Sequence, residues 1–416
     1  VREDWLEQAK TKEAADPWAA LPDRFVIPPH TLYFDGNSLG LMSQKSRERV
    51  EAVLDEWSTL AVLGWDRGRD PWFTRSERVA DAVGTRIGAR PGEVVLGAST
   101  TIMLHQLLAT FYTGGHILID SLAFPTDRYV AESFLSQRGR GLESLVVVPS
   151  GPGDLLNPED IVRCATDDVC VAILPSVVFT SGQRLPMEEL TRELRHRGVM
   201  VIWDLSHSAG LFTHQLHDEN IDAAVFCTYK YLHGGPGSPG AAFVHQRHWP
   251  LNPGLKGWWG SANDQQFLMP DDFRGAADTS ALQLGTPSML ALAGLQGALE
   301  AVADVPVEAL WSRSHTLLRF LEQMAEEALV PLGVRCMTPK TMRGGHLAIS
   351  HAEARSLSVK LRARGAISDF RYPHIIRLAP VPTTTRWHDL VALVETLEEL
   401  LRAEDWMAID DTGRVP

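Results

Sequence analysis

No stretch of this sequence approaches the roughly 18 consecutive apolar residues of a membrane-spanning helix, so no membrane partner is expected. Cysteine is scarce. Cys164, Cys170, Cys227 and Cys336 form neither a C-x-x-C pair nor a zinc-ligand spacing. That excludes a disulfide framework or a structural zinc site; two buried thiols and two incidental ones in a reducing cytoplasm are expected instead. Positive charge is also short. Against 52 Asp and Glu stand 39 Lys and Arg, a net charge of −13, with the basic residues scattered. Such a balance repels phosphate backbones and argues against a nucleic-acid partner. Internal repeats and low-complexity tracts are lacking, which removes solenoids and linker-like segments. The opening Val1-Arg-Glu-Asp-Trp5 has neither the basic start nor the apolar stretch of a signal peptide.

What is present is an ordinary globular balance, 44% hydrophobic and 22% charged over 416 residues, long enough for two domains. A short amphipathic helix is expected before Asp16-Pro17, and helices over 43–61, where Val50, Val53, Leu54, Trp57 and Leu60 share a face, and over 72–87. Strand candidates then follow at 94–96, 116–119, 145–148, 170–174, 199–203, 223–227 and 242–244, with helices such as 100–111 and 187–197 among them. Buried strands alternating with helices imply an α/β fold with a mostly parallel sheet covered on both faces. Residues 252–285 read as irregular. Beyond them come helices over 288–303 and 307–329, strands at 345–349 and 375–378, a helix over 352–364, and a last helix carrying Leu390, Leu393, Val394, Leu397 and Leu401. This texture places a large domain at 49–290 and a smaller α+β domain in 1–48 and 291–416.

The chemistry concentrates in Val201-Ile-Trp-Asp-Leu-Ser-His207 and, some twenty residues on, Val225-Phe-Cys-Thr-Tyr-Lys-Tyr-Leu-His-Gly-Gly235. An Asp at the carboxyl end of a buried strand is where open α/β sheets place ligand-binding groups. Taken singly, Asp204 reads as a helix cap and Lys230 as a solvated loop residue. As a pair before a glycine-rich turn they suit pyridoxal phosphate (PLP): the amine holds the cofactor as a Schiff base and the carboxylate keeps the pyridine nitrogen protonated. Gly97-Ala-Ser-Thr-Thr101 lies between a strand and a helix, where N–H groups and hydroxyls suit phosphate, although simple capping reads equally well. Phe124, in Ser121-Leu-Ala-Phe-Pro-Thr-Asp127, could stack on the ring; an aromatic there is more often core packing.

Seven segments together carry a resemblance. They are Tyr33-Phe-Asp-Gly-Asn-Ser-Leu-Gly40, Phe124-Pro-Thr-Asp127, Thr180-Ser-Gly-Gln183, Trp203-Asp-Leu-Ser-His207, Thr228-Tyr-Lys-Tyr-Leu232, Gly257-Trp-Trp-Gly260 and Arg377-Leu-Ala-Pro-Val-Pro382. In this order, over about residues 32–382, they resemble the kynureninase family. The resemblance implies the aminotransferase-like fold type I, with a seven-stranded-type sheet in the PLP domain, and a homodimer with shared active sites. It implies hydrolysis of L-kynurenine, with 3-hydroxykynurenine as a second candidate substrate, to an anthranilate and L-alanine, in tryptophan catabolism with a link to NAD biosynthesis. By position, Lys230 holds the cofactor, Asp204 pairs with the pyridine nitrogen with His207 beside it, Phe124 stacks, and Asp127 lies near the ring's polar edge. Thr100, Thr101, Tyr229, Trp258 and Thr286 gather round the phosphate, the last two from the partner subunit, and Tyr229 doubles as a proton carrier. Arg377 takes the substrate carboxylate, and Asn37, Trp65 and Gly285 complete the substrate pocket.

The sequence departs from the family pattern at His233, where Asn is frequent, and at Ser261, where His often follows Gly260. Trp65 and Gly285 match the bacterial pattern, which points to unsubstituted L-kynurenine. The alternatives are a related hydrolase for a modified kynurenine, or an aminotransferase or cysteine desulfurase of the same fold. A desulfurase needs a nucleophilic Cys on a mobile loop; the setting of Cys336, Gly333-Val-Arg-Cys-Met337, reads as a strand.

Overall fold

The computed structural model describes residues 2–404. Helix α1 (Glu3–Ala15) ends before Asp16-Pro17, and β1 (Leu32–Tyr33) leads to α2 (Gln44–Leu60), whose N-cap Ser43 accepts from the Ser46 N–H. The one-turn α3 (Gly64–Arg67) and α4 (Arg75–Thr85) precede the main alternation. That runs β2 (Val94–Gly97), α5 (Thr100–Phe111), β3 (His116–Asp120), α6 (Pro125–Gln137), β4 (Leu145–Val148) and α7 (Pro158–Cys164). It continues through β5 (Val169–Pro175), α8 (Met187–His196), β6 (Met200–Asp204), β7 (Ala223–Cys227) and β8 (Gly240–Val244). The sequence pattern leaves α6 and α7 unassigned. Both start on a proline, whose fixed φ and missing N–H suit the first helical position.

The seven strands β2 to β8 form one sheet in the order β2-β8-β7-β6-β5-β3-β4. Five of them, β4-β3-β5-β6-β7, run parallel, and β8 lies antiparallel between β7 and β2. Successive side chains alternate between two cores. Leu118, Val201 and Trp203 pack with α4, α7, α8 and α9 on one face; Ile117, Ile119 and Ile202 pack with α5 and α6 on the other, α9 being Met289–Ala301. Residues 252–285 contain short 3-10 turns and loops, as expected.

Beyond α9 come α10 (Val307–Ala328), β9 (Arg335–Cys336), β10 (Leu347–Ser350), α11 (Ala354–Ala363), β11 (Ala366–Ile367), β12 (Asp369–Arg371), β13 (Ile375–Leu378) and α12 (Trp387–Ala403). Strands β12-β13-β10-β9 make an antiparallel sheet, and β1 pairs with β11 in parallel. Their core is separate: Trp5 and Ala9 of α1 join Leu317, Leu321, Leu390, Leu397 and the inner residues of β10 and β13.

Two expectations need correction. Cys227 alone among the four thiols is buried; Cys164, Cys170 and Cys336 are half-buried. The apolar stripe of α2 is also covered only in part, with Val53 buried but Leu54 and Trp57 at 44% and 61% exposure. The stripe continues into exposed Val62 and Leu63. Among the described residues no helix is long and apolar enough to cross a membrane.

Candidate active site

The carboxyl ends of the parallel strands converge on one cavity of about 130 Å³. Most of the strands deliver part of its lining. After β2 come Ser99, Thr100 and Thr101 at the N-terminus of α5; after β3, Phe124 and Asp127; at the end of β6, Asp204 and then His207; after β7, Tyr229 and Lys230. Because β8 runs the other way, its first residue, Gly240, reaches the same end of the sheet. A Cβ there would lie 2.3 Å from the Ser99 carbonyl carbon and 2.4 Å from the Thr100 nitrogen, so glycine lets β8 approach the helix start.

Lys230 Nζ lies 3.1 Å from His207 Nε2 and 5.8 Å from the centroid of the Phe124 ring. Phe124 is 41% exposed and meets Phe179 edge-on at 5.5 Å, which leaves it a wall of the cavity rather than a core residue. An Asp204 oxygen accepts from the Ser206 N–H at 2.8 Å. Asp127 is buried; burial, with Asp204 and Asp120 adding their charge, raises its carboxyl well above the usual range. Asp120, which closes β3 and which the sequence reading did not single out, is a third carboxyl in this group. Burial pushes it up to about 6. A strand ending in Asp is the same signal that marked Asp204.

A raised carboxyl pKa means that the folded chain holds its proton more tightly than the unfolded one. The stability contributed by that protonated form is full below about pH 4 and is lost as pH rises through about 6. Asp120→Asn should therefore stabilise the cofactor-free protein at pH 7 by up to about 3 kcal/mol, and add little at pH 4. Denaturant melts at the two pH values test this; an equal gain at both would sink it.

The remaining expected site residues fall into three groups. Arg377 is buried, behind the cavity wall. Its Nη1 donates to the Phe179 carbonyl at 3.0 Å, and its Nη2 pairs with Asp369, which also accepts from Ser38 and, at 2.9 Å, from Arg371. Asn37 is fully buried with both amide atoms unpartnered. Its neighbour Gly40 donates to the Tyr229 carbonyl at 2.7 Å, and a Cβ on Gly40 would lie 2.3 Å from the Lys230 carbonyl oxygen. Thus the Asn-Ser-Leu-Gly segment packs directly on the lysine loop. Trp258, Trp65, Gly285 and Thr286 do not line the Lys230 cavity. Trp65 meets Trp72 edge-on and Trp259 at a tilt, Trp258 is 41% exposed beside Phe267, and Gly285 and Thr286 line a separate cavity with Ile102 and Met103.

The departure at His233 has a backbone reason. Its φ is 56°, in the left-handed region that Asn and His enter more readily than most side chains. The ring then bridges the Leu41 carbonyl at 3.1 Å and Thr383 Oγ1 at 2.7 Å, tying both ends of the chain to the lysine loop. Cys336 is no nucleophile: it lies in β9 opposite Ile349, and burial pushes its thiol up to about 11.

The geometry suits PLP. The start of α5 offers N–H groups to a phosphate, Phe124 offers a ring face, Asp204 a carboxylate for a ring nitrogen, and Lys230 an amine. Comparison with known proteins agrees. The kynureninase of Geobacillus thermodenitrificans is 36% identical to this chain, over 99% of this chain and 98% of its own length. The chain belongs to the kynureninase family. The kynureninase of Shouchella clausii is 37% identical over 96% of this chain and 95% of its own, and the family's C-terminal domain matches residues 310–397. Among solved structures, the cystine C–S lyase C-DES with glycine covalently linked to its PLP cofactor superposes with a TM-score of 0.79 at 16% identity, covering 91% of this chain and 98% of its own. A cysteine desulfurase of Escherichia coli gives 0.78 at 17% identity, covering 92% and 98%. At such identity these neighbours establish the fold, the fold-type-I architecture of PLP enzymes, while the kynureninase relatives establish the family.

Proposed function

We propose that this chain is a PLP-dependent hydrolase that cleaves the Cβ–Cγ bond of L-kynurenine to give anthranilate and L-alanine. The observation that carries the reading is Lys230 and Asp204 lining one strand-end cavity in a chain of the kynureninase family. Bound PLP supplies an electron sink, which eases loss of the substrate α-proton and cleavage next to a carbonyl.

The chain's own residues do the rest. Lys230 holds the cofactor through Nζ and, once displaced by the substrate amine, moves the α-proton. Asp204 holds a proton on the pyridine nitrogen, and Phe124 orients the ring by stacking. Thr100, Thr101 and Tyr229 hold the phosphate. The Tyr229 phenol, whose pKa burial raises, keeps its proton and delivers it to Cβ of the fragment that becomes alanine. Arg377 receives the α-carboxylate by exchanging its contact with the Phe179 carbonyl. Asn37, Trp65 and Gly285 shape the aromatic end.

The same reading includes a homodimer. Supporting it are the exposed apolar stripe of α2 and the exposed Phe267, Leu268 and Met269 beside Trp258. A second copy would bring Trp258 and Thr286 to the phosphate. The division into a large unit and a smaller one is part of the proposal, with one change from 49–290: α9 belongs wholly to the large unit, because Leu292, Leu295 and Leu299 lie in its core. A cytoplasmic setting in tryptophan breakdown completes the picture.

The test supplies L-kynurenine to the purified, PLP-loaded protein and follows anthranilate fluorescence, with 3-hydroxykynurenine in parallel. Anthranilate should form, and with the higher kcat/KM of the two, given Trp65 and Gly285. A normal cofactor spectrum with no product from either substrate would overturn the reaction while keeping the cofactor.

A further inference from the structure

Behind His207 lies a second buried histidine that the roles above leave unused. His346, just before β10, is fully buried; neither ring nitrogen makes a well-formed hydrogen bond, and the backbone of Phe179 is the polar group nearby. Its ring centroid is 5.9 Å from that of His207, with the planes tilted by 59°. Gly182, whose φ is +72°, lies against this residue: a Cβ there would be 3.0 Å from the His346 carbonyl oxygen, 3.1 Å from Thr338 Oγ1 and 3.2 Å from His346 Nε2.

The tautomers follow from the donors. In the cofactor-free protein, where Lys230 carries a free ammonium with N–H groups and no lone pair, His207 Nε2, 3.1 Å from Nζ, accepts. Neutral His207 therefore carries its proton on Nδ1, and that Nδ1 is buried and unpartnered. Two imidazoles sharing an N–H···N bond of about 2.9 Å have centroids roughly 5.2 Å apart. The observed 5.9 Å is about 0.7 Å longer, so the two rings are neighbours but are not hydrogen-bonded to each other as they stand. Both rings are neutral: burial lowers each, and the charged groups that face them, Lys230, Arg377 and Arg371, are all cations. A neutral His346 has one lone pair to take the His207 Nδ1–H and one N–H left for the nearby Phe179 carbonyl, which Arg377 also holds.

We propose that His346 is a positioning residue: it fixes the tautomer and orientation of His207, and through His207 the surroundings of the Lys230 amine. This rests on Lys230 being the cofactor lysine. It adds a link between the smaller sheet, which carries His346 and Arg377, and the cavity that carries Lys230.

The experiment compares His346→Leu and His346→Gln with the parent, each loaded with PLP. The readouts are the pH midpoint of the cofactor's visible absorbance, kcat and KM. Leu can neither donate nor accept, whereas Gln can do both. His346→Leu should move the midpoint by at least half a pH unit and lower kcat about tenfold, with KM within threefold of the parent. His346→Gln should restore the midpoint. Coincident midpoints for Leu and parent, or a Gln variant as altered as Leu, would overturn the proposal. Should the Leu variant fail to fold, ring-nitrogen NMR of cofactor-free parent protein decides, with His207→Asn supplying the assignment. A proton on His207 Nδ1 is expected, and one on Nε2 would overturn the idea. Failure of Lys230 to carry cofactor would appear separately, as a visible band that survives its replacement.

Discussion

Replacing Lys230 by alanine should remove the covalent cofactor band and reduce turnover by at least about 10²–10⁴-fold, the range for loss of a positioned proton carrier alone. The expected loss exceeds that of other single changes because two duties end at one atom. In the proposed role, Nζ both anchors the cofactor and moves the α-proton. Borohydride reduction of the parent, followed by peptide mass spectrometry, should leave the cofactor's mass on the peptide containing Lys230. Lysines elsewhere, such as Lys256 and Lys340, do not line the cavity. Cofactor mass on one of those peptides, or an unchanged spectrum in Lys230→Ala, would end the assignment.

Asp204→Asn should have the second largest effect. The amide keeps an oxygen to accept the Ser206 N–H, so the fold around β6 should persist. What it loses is the negative charge facing a protonated ring nitrogen. Breaking a buried ion pair by removing one partner costs about 3–5 kcal/mol, which is roughly two to four orders of magnitude. The loss should be shared between cofactor affinity and kcat, with KM for L-kynurenine changing less. Asp127 and Asp120 make the result informative. If either could serve in place of Asp204, the variant would retain near-parental affinity, and the role of Asp204 would pass to that group.

The strands of the large sheet were legible because most are buried on both faces, and even the half-exposed edge strand β4 is a short apolar run. For β4, β7 and β13 the sequence reading reproduces both ends. What it missed has physical causes. Helix α6 begins on Pro125 within a segment read for chemistry, and the helical pattern behind it is weak. Strands β11 and β12 have two and three residues, too short for any period; pairing with β1 and β13 defines them. In the site, Asp204 and Lys230 were visible because an ionisable group at the end of an apolar strand is conspicuous. Asp120 carried the same signal and went unused. His346 carried no signal at all, since a histidine after two glycines looks like any turn until the fold sets it beside His207. The engagement of Arg377 by Asp369 was equally invisible, because the partners come from neighbouring strands β13 and β12 whose register only the sheet reveals.

The smaller unit draws its core from both ends of the described chain: α1 packs along α12, and the Arg2 N–H donates to Glu395 at 2.8 Å. On the ribosome these pieces appear far apart in time. Roughly 370 residues separate the two helices, about 20–75 s of synthesis at ~5–20 residues per second. The strands of the large sheet, contiguous in sequence, emerge in that interval and can assemble first. Helix α1 and strand β1 must wait, their apolar faces without partners, until α12 clears the exit tunnel. The Asn37–Gly40 segment follows β1 directly, so the contacts that close the lysine loop form only once α12 has been made, and cofactor capture should follow its appearance rather than precede it.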